Sequence, residues 1–333
     1  MTLAIGDRVW WQTTASTVKY GTVAILEDRP GVQPDGDPDL LYLDAAQIHV
    51  MAELPDGQYG WITEGDYHAS SRLSSSGARL LLPPSVPALF KHAQHHPQKP
   101  KRAYDIGHAV HRQILGKGAE LAEVHAPDYR TKAAQAERDN ARDRGKVPIL
   151  TGELREVRAM ADAVFAHDEA AGILADGVAE MSLYATDPAT GVKLRARPDW
   201  MALIGGERLW LADVKTSVTA AEPAAFARKA ADLGYAVQAA FYRLVARLLG
   251  LDDDPAFVFL CVEKTAPYLV SVVEWDTEAM AEGNRLVRQA IDIFAHCSDA
   301  DEWPGYPCGI QSISLPAYKI HKPTISDLLE GVA

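Results

Sequence analysis

Two apolar runs, Leu194–Leu203 and Leu209–Val214, are separated by Gly205-Gly206. Such a pair of runs around two glycines predicts a β-hairpin. The hairpin constrains more than local structure. It puts Arg197-Pro198-Asp199 at the end of one strand and Asp213-Val214-Lys215 on the next. Strand side chains alternate, so Asp213 and Lys215 share a face and Val214 points the other way. Pairing of the strands brings Asp199 alongside Asp213. Two carboxylates and a lysine on one patch suit a hard divalent cation with oxygen ligands. Such a cation lowers the pKa of a bound water and polarises a phosphoryl oxygen. Lys215 would then orient the water or stabilise developing charge. In isolation the same residues make an exposed ion pair of small energetic weight.

The surroundings add to this patch. Gly107, His111 and Leu115 fall on one face of a predicted helix, Tyr104–Leu115. A glycine one turn before His111 leaves room for a strand or a metal, which makes His111 a candidate imidazole ligand. A core histidine held by a hydrogen bond has the same pattern. Gln238 and Tyr242 share a helix face after the second strand, and both side chains can hydrogen-bond to a phosphate or to water. Glu180 opens a strand before the hairpin, where a third carboxylate either completes a second metal position or is an ordinary surface strand residue.

The rest of the chain alternates strands and helices. Helices are expected from the serines at Leu73–Ser76 to Leu82, over Glu153–His167, over Pro223–Leu249 with a break at Gly234, and over Thr277–His296. Further strands are expected at Glu180–Tyr184, Phe257–Val262 and Tyr268–Trp275. Asp128–Lys146 is charged and poor in large apolar residues, and reads as a loop or an exposed helix. Interleaved strands and helices give an α/β sandwich. Residues 1–65 differ. Five short strands, around a Pro/Gly/Asp loop at Arg29–Asp39, suggest a small all-β, SH3-like module, with Gly21 as a bend or bulge. The expected division is therefore 1–65 and 66–333. On this division, removal of residues 1–65 leaves an active remainder.

Charge is unevenly placed. The 333 residues carry a net −12, which speaks against nucleic-acid binding over the whole surface. Yet residues 67–118 hold eight basic side chains against Asp105 alone, and six of the eleven histidines. Residues 1–65 hold ten acidic and three basic side chains. The basic block is a solvated surface or a phosphate-contacting strip. Hydrophobic residues at 47% and charged residues at 23% exclude a mainly disordered or collagen-like chain. Cys261, Cys297 and Cys308 are too few for a disulfide framework or for the four thiolates of an iron–sulfur cluster. No run approaches the roughly 20 apolar residues of a membrane span, and the first residues lack a signal-peptide pattern. A soluble, cytoplasmic protein is expected.

Taken in order, these elements resemble the PD-(D/E)XK nuclease superfamily, and within it the exodeoxyribonuclease VIII-like exonucleases of phages and prophages. The resemblance runs over about residues 66–320. It is carried by Tyr67-His68-Ala69-Ser70, Leu73-Ser74-Ser75-Ser76-Gly77, Gly107–His111, Thr190-Gly191, Arg197-Pro198-Asp199, Asp213-Val214-Lys215-Thr216-Ser217, Gln238–Tyr242 and Trp303-Pro304-Gly305-Tyr306. It implies a restriction-endonuclease-like mixed sheet flanked by helices. It implies a Mg²⁺-dependent exonuclease, with Mn²⁺ as a substitute, that degrades linear duplex DNA 5′ to 3′ and leaves 3′ tails for recombination. His111, Asp199, Asp213 and the Val214 carbonyl would be metal ligands. Lys215 would position the water, Gln238 would support it, and Glu180 would serve near a second metal. Ser75 and Ser76, at a helix N-terminus, and Tyr242 would contact DNA. A homo-oligomer is a further implication. Residues 1–65, outside the resemblance, read separately as a protein-interaction barrel that would dock a single-strand annealing partner. The competing readings are an endonuclease or structure-specific nuclease with the same site, and a non-catalytic DNA-binding scaffold.

Overall fold

The computed structural model describes residues 3–13, 18–26, 29–51, 54–96, 102–206, 208–218 and 221–315. The first five strands are β1 (Arg8–Gln12), β2 (Val18–Ile25), β3 (Gly31–Pro34), β4 (Leu41–Tyr42) and β5 (His49–Val50). They form one antiparallel sheet in the order β4-β3-β2-β1-β5. Its core is Val9, Trp11, Val23, Val32 and Ile48. The loop expected at Arg29–Asp39 contains β3, because fully buried Val32 anchors that stretch to β2. The ladder irregularity lies between Val23 and Ile25. Gly21 instead permits close approach of β3, since a Cβ there would meet the Gln33 carbonyl oxygen at 2.4 Å.

The chain continues through β6 (Gly57–Tyr59), α1 (Glu64–Ala69), β7 (Leu73–Ser74), α2 (Ser75–Leu81), α3 (Pro87–His95) and α4 (Arg102–Leu115). Next come β8 (Leu121–Val124), α5 (Lys132–Asp143), β9 (Val147–Leu150), α6 (Thr151–Phe165) and α7 (Asp168–Leu174). Then follow β10 (Val178–Ala179), β11 (Ser182–Thr186), β12 (Lys193–Ala196), β13 (Trp200–Ile204) and β14 (Arg208–Ser217). The last described elements are α8 (Pro223–Asp232), α9 (Tyr235–Leu248), β15 (Ala256–Glu263), β16 (Val270–Val273) and α10 (Thr277–Ala300). Ser74 caps α2 by accepting from the Gly77 amide at 3.1 Å. Gly234 stands in the left-handed region, φ 66°, and breaks the predicted long helix into α8 and α9. The charged stretch 128–146 holds α5, which buries only Ala134 and Ala141 among its residues.

The central sheet has the order β10-β13-β14-β15-β16. Only β14 and β15 run parallel in it. Leu211, Phe257, Phe259 and Cys261 pack on one face in the core that includes α9 and α10. Ala212, Val214, Leu260 and Val262 pack on the other, against α4 and α6. The mixed sheet flanked by helices is the expected fold class. A second sheet has the order β6-β11-β12-β7. Its strand β6 comes from before residue 65, so a division there runs through this sheet.

The run Leu194–Leu203 was expected as one strand and is two. β12 pairs with β11 in the second sheet, whereas β13 pairs with β14 in the central sheet. The chain changes sheets at Arg197-Pro198-Asp199. Proline has no amide hydrogen for a ladder and a fixed φ, so it interrupts pairing where the change occurs. Among the described residues, no helix is long and apolar enough to cross a membrane.

Candidate active site

The β13–β14 hairpin turns on Gly205 and Gly206, both at positive φ, and pairs Trp200 with Ala212. Asp199 therefore lies one step beyond the ladder, beside Asp213 and Val214. Its Oδ2 accepts the Val214 amide at 2.7 Å. Asp213 is 3% exposed. Its Oδ1 accepts from Gln238 Nε2 of α9 at 2.6 Å. Its Oδ2 is in ionic contact with the Lys215 ammonium, a charged donor on this buried oxygen.

From the opposite face, α4 delivers His111. Its Nε2 lies 2.7 Å from the Val214 carbonyl oxygen and donates to it, and its Nδ1 lies 3.4 Å from Asp199 Oδ2. The glycine at 107 leaves open space here, since a Cβ would find only Thr216 Oγ1, at 3.9 Å. His111, Asp199, Asp213, Val214, Lys215 and Gln238 are thus brought together, three of them by one strand and the others from β13's edge and both helical layers.

Electrostatics follow from burial. Desolvation, then the charge of Asp213, push the Asp199 carboxyl up to about 7, against the opposing pull of His111 and Lys215. Burial works against the Lys215 ammonium, but Asp213, Tyr235 and Asp199 outweigh it and hold its pKa above the ordinary lysine value. The ammonium also sits 4.6 Å over the Tyr235 ring. Tyr235 had no signature in the spacing, although it directly follows the Gly234 break.

A cleft of about 200 Å³ opens on this patch, lined in part by Tyr67, His108, His111, Lys117, Glu180, Arg197 and Asp199. Glu180 faces it, but not from a strand. It occupies a bend between β10 and β11 with φ 51°, and its amide donates to the Asp199 carbonyl at 3.0 Å. Two proposed DNA contacts are corrected. Tyr242 is 8% exposed, packed edge-on against Phe257, and burial raises its phenol well above the ordinary value. Ser75 is 5% exposed and turned inward. Helical spacing gave the face of each but not its depth. Ser76 is exposed, with its hydroxyl 3.0 Å from that of Ser74. Lys117 and Glu64 were missed, because nothing in their spacing sets them apart from ordinary surface residues.

Among the described residues, no three His, Cys, Asp or Glu side chains form a ready-made cation cage. The donor set still fits a divalent cation. It offers two carboxylates, an imidazole and a carbonyl, oxygen and nitrogen donors brought to one place by β13, β14 and α4.

A mixed sheet with Asp199 and Asp-x-Lys at one end defines a PD-(D/E)XK-type domain. Residues 74–314 match the sequence profile of a family described as a PDDEXK-like domain of unknown function (DUF3799), and the chain belongs to this family. A crystal structure of a presumed exonuclease from Eubacterium rectale superposes with a TM-score of 0.49 and 12% identity, over 78% of this chain and 93% of that one. No curated protein matched the chain.

Proposed function

We propose that the protein is a metal-dependent exodeoxyribonuclease acting on the ends of linear duplex DNA. One observation carries the reading: Asp199, Asp213 and Lys215 share a largely buried patch, with the Lys215 ammonium on Asp213 Oδ2 and His111 facing Asp199 from the other layer. Asp199, Asp213, His111 and the Val214 carbonyl would hold Mg²⁺, or Mn²⁺ in its place. Bound there, the ion supplies polarisation of the scissile phosphate and a water acidic enough to attack at neutral pH.

The chain's own residues do the rest. Gln238 fixes one Asp213 oxygen and so aims the other. Lys215 presents its ammonium where a water or a developing negative charge is stabilised. Glu180 places a further carboxylate on the cleft. Polarity from 5′ to 3′, 3′ tails for recombination and homo-oligomeric assembly rest on the resemblance to exodeoxyribonuclease VIII-like enzymes; an annealing partner would dock on the N-terminal module, and a cytoplasmic site of action rests on the sequence pattern. Free Cys261, Cys297 and Cys308 accord with a reducing compartment.

Digestion of duplex labelled separately at its 5′ and 3′ ends, with Mg²⁺, tests the reading. The wild type is expected to release label from the 5′ end, and Asp213→Ala and Lys215→Ala are expected to be inactive. Equal activity of all three proteins overturns it. Cleavage of covalently closed circles makes the enzyme an endonuclease, and Mg²⁺-independent binding without turnover makes it a scaffold.

A further inference from the structure

The N-terminal sheet and the cleft meet on α1. Arg8 of β1 reaches Asp66 through Nε at 2.8 Å and Nη2 at 3.3 Å, and also pairs with Asp35. Tyr20 of β2 donates its hydroxyl to the Trp61 carbonyl at 2.9 Å. Apolar contact continues the join, with Trp10 and Met51 packed on a cluster of Leu54, Ile62, Tyr67 and Tyr184. The residue after Asp66 is Tyr67, 7% exposed.

The Tyr67 ring carries two guanidinium groups, Arg197 at 4.2 Å and Arg195 at 4.9 Å from its centroid. Arg197 donates to Ser182 Oγ at 2.6 and 2.9 Å and to the Ile62 carbonyl at 2.9 Å. These acceptors are neutral. Glu64, Glu180 and Asp199 line the same cleft as Arg197. An arginine so placed gains by swinging onto a carboxylate, unless a stacked ring and fixed acceptors hold its fork. Only Pro198, with its locked φ, separates it from Asp199. A fixed Arg197 therefore limits the backbone freedom of Asp199, and its guanidinium stays on neutral acceptors and off the Asp199 carboxylate.

We propose that Tyr67 is a positioning residue for Asp199, acting through Arg197, and that the N-terminal sheet holds Tyr67 in place through Arg8 and Asp66. The proposal rests on Asp199 being a metal ligand. It makes residues 1–65 a working part of the site.

Mn²⁺ binding to the DNA-free, full-length protein, followed by titration calorimetry, is the test. Wild type should bind and Asp199→Ala should not. Tyr67→Leu should bind about 10-fold or more weakly, as outer-shell losses usually do. Tyr67→Phe keeps the ring and should restore binding. Arg8→Gln, at the half-buried end of the chain of contacts, should weaken binding in the same direction by less, and it reports even where Tyr67→Leu does not fold. Wild-type affinity in Tyr67→Leu or in Arg8→Gln, with Asp199→Ala deficient, overturns the proposal and leaves the site reading standing. Full binding by Asp199→Ala, or none by wild type, overturns both.

Discussion

The N-terminal sheet and the central sheet have five strands each and bury different things. The first closes over Val9, Trp11, Val23, Val32 and Ile48, none more than 4% exposed, an entirely apolar set. The second has an equally apolar interior along most of β14, then buries Asp213 at 3% exposure beside Lys215. A fold optimised only for stability fills such positions with hydrocarbon, because buried ion pairs seldom repay their desolvation. The contrast separates a region whose side chains serve packing from one whose side chains are kept reactive at a cost in stability.

Four changes test that contrast, from the largest effect down. Asp213→Asn keeps the shape and removes the charge. Nuclease activity on labelled linear duplex should fall by about 10²–10⁴-fold, the range for a group acting directly on the transition state. Trp11→Ala should cost about 3–5 kcal/mol in denaturant unfolding, as loss of a buried aromatic does; an unchanged midpoint would remove that sheet from the cooperative fold. Gln238→Ala strips the donor from Asp213 Oδ1 and should cost about 1–3 kcal/mol in the same measurement, together with activity. Glu180→Gly releases a left-handed backbone and should gain about 1 kcal/mol while lowering activity, an exchange no residue of the N-terminal core should show.

A pH prediction concerns the metal-free protein. Asp199 titrates higher when folded than the ordinary 3.8. Between about pH 4 and 7 the folded state keeps a proton that the unfolded chain has lost, so this group's contribution to stability falls as pH rises. In EDTA, the melting temperature of wild type relative to Asp199→Asn should decline across that window. A difference that is flat with pH would show that Asp199 ionises as an ordinary carboxylate.

Much of the site was legible because hairpin pairing and helical spacing are local rules. Gly205-Gly206 fixed the register of Asp199 against Asp213, and spacing of four put Gln238 and Tyr242 on one face. Depth is not local. Tyr242 and Ser75 are interior because of what packs over them from distant elements, as is β3 within an apparent loop. The split of Leu194–Leu203 was hidden for a similar reason: alternation names a face without naming the sheet. Tyr67 stood in the sequence only within one of the stretches that carry the resemblance, and tertiary contact joins it to Arg197.

The crossing between sheets at Arg197-Pro198-Asp199 has a consequence for how the gene can vary. β12 is held in register by Leu183 and Tyr184, and β13 by Leu211 and Ala212. With both ends anchored, the link has a fixed length of three residues. One added residue would slide β13 and turn its core side chains to the wrong face, or leave Asp199 out of reach of the Val214 amide. Substitutions here are graded in effect, whereas insertions and deletions are all or none. At the other end of β12 residues 188–191 are exposed, but the turn is pinned by buried Asp187, whose carboxylate accepts from Thr190 and pairs with Arg288, so length is constrained there as well.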